Sequence, residues 1–221
     1  MLLDLEVLMP PLIRGAEMSL LITGLAAPLS FVIALIVALA RLSGSSALRA
    51  VATLYVEVFR GTSLVIQLFY FFYVLPLVGL TLEPLTTGVL VLGLNLGSYG
   101  SEIARAALLS IPRGQHDACV TLSMSPSLAM RRVIFPQALL IMLPPFGTLL
   151  IEMLKATSIL SLITITELSF AATSLFQTTG KTQTIYILVL LMYFVMAWTL
   201  GASVRSLEKR LSVYRPPDFR T

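Results

Sequence analysis

The sequence predicts an all-α, polytopic membrane protein with five transmembrane helices. Three observations carry that prediction. Only 12% of the 221 residues are charged and 57% are hydrophobic, against about 25% charged in a soluble domain, and mean hydropathy is +0.93. Five charge-free stretches are each long enough to cross a bilayer, because ~30 Å of hydrocarbon at ~1.5 Å per residue takes roughly 20 residues. The basic residues fall unequally on the two sides of those stretches.

The opening residues carry Asp4 and Glu6 before any basic residue, and Pro10 and Pro11 stand where an apolar signal core would continue. A cleavable signal peptide is therefore not expected, and the first span is expected to act as its own insertion signal. That first charge-free run is Met18 to Ala40, 23 residues. The next is Gly61 to Leu82, 22 residues, and with the helical approach to it gives a span over about 56–80. Pro84 to Ser101 follows with 18 residues, then Val133 to Ile151 with 19, extended to a span of about 133–154, and Thr182 to Val204 with 23. The predicted spans are thus 18–40, 56–80, 84–101, 133–154 and 182–204, in one transmembrane unit covering 1–221. The stretch Ala156 to Gly180 is interrupted by Glu167 and rich in Thr and Ser, so it reads as short interfacial or re-entrant helices.

Alternation of sides gives the orientation. One side holds Arg41, Arg49, Arg105, Arg113, Arg131, Arg132, Arg205, Lys209, Arg210, Arg215 and Arg220, and the other only Arg14, Lys155 and Lys181, with Arg60 inside a span. The richer side is cytoplasmic, so the N-terminus is expected outside and the C-terminus in the cytoplasm. Arg205 to Thr221 reads as a frayed cytoplasmic tail, its Pro216 and Pro217 opposing helix and its basic residues drawn to anionic headgroups.

The loop of about 102–132 is then cytoplasmic. Pro112 and Gly114 end one segment and Pro126 begins another. Between them Gln115 to Met124 has room for about three helical turns, with Ala118, Cys119 and Leu122 as a narrow apolar stripe and Gln115, Asp117 and Thr121 polar. Ser125 before Pro126 reads as an N-cap with a first-turn proline. Such a helix would lie either on lipid or against a partner; lipid seating favours Trp, Phe or a basic polar face, which this segment lacks.

Several chemistries are excluded. A net charge of +4 on so few charged residues lacks the clustered basic surface of a nucleic-acid binder. Cys119 and His116 are the one cysteine and the one histidine, so neither a disulfide, a metal site nor a nucleophilic triad is expected. No G-x-x-x-x-G-K-[ST] loop occurs, so the chain is not expected to hydrolyse ATP.

Polar groups at membrane depth cost several kcal/mol and mark functional interiors. Glu57 and Arg60, at i, i+3, either neutralise each other or offer Arg60, with Gly61, Thr62 and Ser63, to an anionic or zwitterionic ligand. Gln67 and Asn95 read equally as interhelical glue or as ligand contacts. Glu152 and Lys155 repeat the i, i+3 pattern, and Thr157, Ser158, Thr164 and Thr166 follow in a segment too polar for lipid, which makes 155–167 a second candidate pathway wall.

Three motifs together carry a resemblance. Glu102, Arg105, Ile111-Pro112, Gly114-Gln115, Asp117-Ala118-Cys119, Ser123 and Phe135-Pro136-Gln137-Ala138 are similar to the cytoplasmic signature loop of ABC importer permeases of type I. In that family a Glu-Ala-Ala triplet precedes a glycine, here Ser123. Tyr55 to Ser63 with Gln67-Leu68-Phe69, and Leu154 to Leu160, resemble the polar amino-acid uptake subfamily serving histidine, arginine, glutamine and opines. The resemblance covers about residues 15–212.

It implies that Gly114, Gln115, Asp117, Ala118, Cys119, Leu122 and Ser123 form a coupling helix docked on a separate ABC ATPase. It also implies a second permease subunit, identical or homologous, two ATPase subunits that hold ATP and Mg, and a periplasmic solute-binding protein, all at a bacterial inner membrane. The substrate pathway is expected at Glu57, Arg60, Thr62, Asn95, Lys155, Thr157 and Ser158, with no catalytic residue and no cofactor in this chain. Family members often carry Asp or Asn at Ala156, so a contact made there is missing. The alternative is an ion-coupled carrier or channel subunit, against which five spans with no internal repeat argue.

Overall fold

The computed structural model describes residues 2–211, and these are helical almost throughout, with no strand among them. The order is α1 (Leu2–Arg41), α2 (Ser46–Gly61), α3 (Leu64–Phe69), α4 (Pro84–Leu109), α5 (Arg113–Thr121), α6 (Pro126–Ala129), α7 (Phe135–Ala156), α8 (Leu168–Thr179) and α9 (Thr182–Leu211). Helix starts follow local chemistry: Ser45 and Ser125 accept hydrogen bonds from Leu48 N and Leu128 N, and Pro84 and Pro126 occupy first-turn positions, where a missing N–H is harmless. Gly79 and Gly180 close helical segments with left-handed backbone, which glycine adopts without penalty.

By length and hydropathy, Glu6–Arg41, Pro126–Ile163 and Thr182–Leu211 qualify as membrane spans, and the bent pair Ser46–Gly61 with Leu64–Val78 makes a fourth. The 26-residue α4 is long enough to cross, but Gly, Ser, Thr and Asn dilute its hydropathy. Its position explains the composition. α4 is the centre of the bundle, with Gly88, Val91, Leu92, Asn95, Ser98, Ser101 and Ala104 among its buried residues. It faces protein, so small residues serve it better than long apolar ones. At Gly97 a β-carbon would come within 2.8 Å of Ile33 Cγ2, so glycine sets how closely α1 lies along α4.

Four expectations change. α1 runs unbroken from Leu2, through Pro10, Pro11 and Pro28, because membrane helices absorb proline by local adjustment. The predicted span 56–80 is not one helix: α2 and α3 meet at 105°. The helix of the central loop is Arg113–Thr121 and not Gln115–Met124. Arg205 to Leu211, read as frayed tail, continues α9 as helix; Arg215, Pro216, Pro217 and Arg220 lie outside the described residues.

Two wide π-helical turns, Tyr70–Val74 and Met130–Ile134, each stand two residues before a proline, Pro76 and Pro136. A proline ring collides with the carbonyl four residues earlier, here Phe72 and Arg132. Opening the turn that contains that carbonyl lets the chain continue without breaking. Ile163 ends a 3-10 segment that began at Thr157, and Thr164 follows in the left-handed region at φ 65°, an outlier for a β-branched residue.

Candidate functional site

The bend between α2 and α3 leaves the last carbonyls of α2 without helical donors, and the polar residues around it supply them. Thr62 Oγ1 donates to Val58 O at 2.7 Å, and Gln67 Nε2 donates to Phe59 O at 2.9 Å and to Thr62 Oγ1 at 2.7 Å. Asn95 Nδ2, from α4, donates to Phe59 O and to Gln67 Oε1, both at 3.0 Å. Tyr55 Oη donates to Leu94 O at 2.5 Å. Of the two readings open for Gln67 and Asn95, the geometry favours glue: both are buried and their amide hydrogens serve the bend. Thr62 is engaged in the same way.

Glu57 and Arg60 do not pair. The guanidinium of Arg60 lies over the ring of Tyr99, 5.2 Å from its centroid, and reaches Glu102 Oε1 at 3.4 Å. Glu102 is also held by Arg41, the last residue of α1, through Oε1, and by Arg105 through Oε2 at 3.1 Å. One carboxylate thus faces three guanidiniums from three helices. Partial burial acts to raise the pKa of Glu102, which lies just past the charge-free run of α4, but hydrogen bonds from Arg41 and Arg105 outweigh it and hold the carboxyl below its usual range. Glu57 is exposed and forms no ion pair among the described residues. Sequence spacing could not show this cluster, since Arg41 and Glu102 are 61 positions apart.

Beyond α7, Lys155 Nζ and Glu152 Oε1 are paired at 2.9 Å and are both more than half exposed, as their i, i+3 spacing anticipates. Thr157 is fully buried and donates to Leu154 O, and Ser158 Oγ donates to Lys155 O. Both hydroxyls therefore serve the 3-10 turn.

From the sequence Glu167 reads only as a charge interrupting the 156–180 stretch. It is fully buried and caps α8, accepting from Ser169 N at 2.9 Å and Phe170 N at 2.8 Å. Tyr193 Oη of α9 adds a third hydrogen bond at 3.1 Å. Ser19 Oγ of α1 accepts from the neighbouring Leu168 N, and at Gly15 a β-carbon would stand 2.9 Å from Leu168 Cα. A cavity of about 420 Å³ opens beside this junction, lined by Arg14, Met18, Thr166 and Phe170 among others. The signal that could have found Glu167 is an acidic residue immediately before a helical run.

On the opposite face, α5 projects Ala118, Val120 and Leu122 to the exterior, Val120 and Leu122 each 74% exposed. Cys119 is turned inward at 4% exposure, so the apolar stripe drawn through it is corrected: Cys119 anchors the helix to its own bundle. Gly114 and Asp117 are exposed, and Gln137 of α7 donates to Gln115 Oε1 at 3.2 Å, linking α5 to the start of α7. Ser123 has φ 53°. With Ser123 N donating to Val120 O and Met124 N to Cys119 O, the helix ends in a Schellman motif, whose left-handed position is usually glycine. Helix termination at Ser123 explains why α5 stops short of Met124.

Residues 18–213 match the family described as binding-protein-dependent transport system inner membrane component. The chain belongs to that family. It is a membrane transport subunit of the ABC importer permease type. A probable amino-acid ABC transporter permease of Sinorhizobium fredii is 40% identical, over 93% of this chain and 89% of the relative. The L-cystine transport system permease TcyB of Bacillus subtilis is 36% identical over 93% and 88%, and the glutamine permease GlnP of Escherichia coli 34% over 92% and 94%. The crystal structure of an amino acid ABC transporter with histidines superposes with a TM-score of 0.86 at 34% identity, over 94% of this chain and 97% of that one. The methionine transporter MetNI, at 20% identity and a TM-score of 0.80 over 93% and 98%, shares the fold.

Proposed function

We propose that this permease conducts polar amino acids or close derivatives inward across a bacterial inner membrane, driven by ATP hydrolysis on separate subunits. Two permease chains, identical or homologous, would frame the pathway. A solute-binding protein would deliver the ligand outside, and two ATPase subunits, carrying ATP and Mg, would dock beneath α5. In this reading the membrane is crossed five times, the second crossing being the bent α2–α3 pair, with the N-terminus outside and the C-terminus in the cytoplasm. Relatives that carry cystine and glutamine support the substrate class.

The observation that carries the coupling role is the exposed apolar face of α5 joined through Gln115 and Gln137 to α7. A helix that offers Val120 and Leu122 outward while Cys119 holds it to the bundle suits a protein socket. Force applied there passes through Gln137 into α7 and through Ile111 into α4. No residue of the chain does bond chemistry; its contribution is mechanical. Of the pathway candidates, Glu57, Arg60 and Lys155 have side chains available to a ligand, whereas Thr62 and Asn95 maintain the bend.

Purification of the tagged chain with its co-purifying subunits, followed by uptake assays in proteoliposomes, tests this reading. ATP-dependent uptake of an amino acid is expected. Gradient-driven uptake by the chain alone, without an ATPase, overturns it. Ser123→Trp is expected to abolish uptake while membrane insertion persists, because bulk is added where the docking surface turns; full transport by that variant removes the docking assignment.

A further inference from the structure

The three-to-one ratio of guanidinium to carboxylate around Glu102 is unequal in a way that singles out Arg60. Both oxygens of Glu102 are already engaged, Oε1 by Arg41 and Oε2 by Arg105. Arg60 shares Oε1 at 3.4 Å and is the most exposed of the four side chains, at 43% against 17% for Arg41 and 35% for Arg105. Its other neighbour is the face of Tyr99, which holds a guanidinium by cation–π attraction without saturating its hydrogen-bond donors. The cluster carries an excess of positive charge near the membrane, where uncompensated charge is costly. One turn earlier on α2, Glu57 is exposed and has no ion-pair partner among the described residues. At i, i+3 the two side chains share a face about 5–6 Å apart at Cβ, yet each is unpaired with the other.

Resting on the amino-acid reading above, we propose that Glu57 and Arg60 together grip the zwitterionic head of the solute, with Glu102 and Tyr99 as the partners Arg60 exchanges against. Arg60 takes the α-carboxylate as a charge-assisted fork, and Glu57 accepts the α-ammonium. Glu102 is then an internal competitor: it steadies Arg60 but holds it weakly enough for a carboxylate ligand to displace it. The grip addresses what all α-amino acids have in common and leaves side-chain selection to other groups.

The test uses the tagged chain with its co-purifying subunits, in nanodiscs of phosphatidylcholine or of phosphatidylglycerol, and calorimetric titration with L-glutamine, L-histidine and L-arginine, each compared with its α-amide. The amino acids that bind wild type are expected to bind about tenfold or more tightly than their amides, as a charge-assisted hydrogen bond allows. Arg60→Gln should bring that ratio close to one by weakening the acid alone. Arg60→Lys, which preserves the charge, should retain part of the ratio and keeps the test available if Arg60→Gln does not fold. Glu102→Gln should tighten acid binding, and Glu57→Gln should weaken acid and amide alike, because both keep the ammonium.

An unchanged ratio in both Arg60 variants overturns the inference while leaving the amino-acid reading intact. Failure of wild type to bind any of the three amino acids overturns the substrate reading and the inference with it. Arg60-dependent binding of phosphatidylglycerol, with no acid–amide difference, also overturns it and assigns the cluster to a lipid headgroup.

Discussion

Glu102 and Glu167 are both carboxylates enclosed by the helix bundle, and they are kept in opposite ways. Glu102 is partly open and surrounded by cations from α1, α2 and α4. Glu167 is fully buried and is held by backbone N–H groups of α8 and by the Tyr193 hydroxyl. The ion pairs around Glu102 stand in a partly hydrated site, where each contributes little, and the Arg60 contact, at 3.4 Å, is the loosest of them. The dipoles around Glu167 are fixed by the backbone, so the carboxylate there works as a rivet that joins α1, α8 and α9. The molecule thus places an adjustable contact at one end of the bundle and a rigid one at the other.

Replacing Glu167 by Ala probes the rigid end and should have the largest effect. It leaves two α8 N–H groups without an acceptor in a buried site and the Tyr193 hydroxyl with only Ser169 Oγ at 3.2 Å, a loss of about 2–4 kcal/mol. Thermal unfolding in detergent measures it; a loss under about 1 kcal/mol would mean that water reaches the site. Glu102→Gln should lower stability less, by about 1 kcal/mol, since that cluster is partly hydrated. Its penalty should shrink as salt rises from 0.1 to 1 M, where the screening length falls to roughly 3 Å, whereas the Glu167→Ala penalty should not move. Acid gives a further discriminator. The guanidiniums depress the Glu102 carboxyl, so its contribution is present above the ordinary value of about 4.5 and is lost as pH falls through the lowered one. The difference between wild type and Glu102→Gln should close along that acid limb.

The smallest expected change is a gain. Ser123 holds a left-handed conformation that disfavours any residue with a β-carbon by roughly 1 kcal/mol. Ser123→Gly should therefore raise stability by up to about 1 kcal/mol and slow amide exchange at the end of α5. Faster exchange there would show that the serine hydroxyl supplies a contact that outweighs its strain.

What could be read from the sequence was what depends on neighbours in the chain. The charge-free runs located the apolar segments, the pair Ser125-Pro126 announced a helix start, and Glu152 with Lys155 formed the expected i, i+3 contact. The contacts that depend on distant pairings were not legible. Arg60 reads from the sequence either as a partner of Glu57 one turn away or as a ligand group, and it reaches Glu102 of α4, a contact set by the packing of α2 against α4. Asn95 reads from the sequence equally as glue or as a ligand contact, because the group that decides between them, Phe59 O, is freed only where α2 ends. Cys119 looked outward on a helix drawn three residues too far, and the positive φ of Ser123 is what shortens it.

The wide turn at Met130–Ile134 bears on how this architecture can vary by insertion and deletion. Such a turn holds one residue more than an α-helical one, and each residue of an α-helix rotates the chain by about 100°. Losing a single residue between Ala129 and Pro136 would restore an ordinary turn, press the proline ring back against the carbonyl four residues before it, and leave the hydrogen bonds of α7 beyond it intact. It would nevertheless rotate Gln137 away from Gln115 and swing α5 around the axis of α7. The exposed face of Val120 and Leu122 would survive as a surface but point elsewhere, so its bearing is encoded in residue count as much as in residue type.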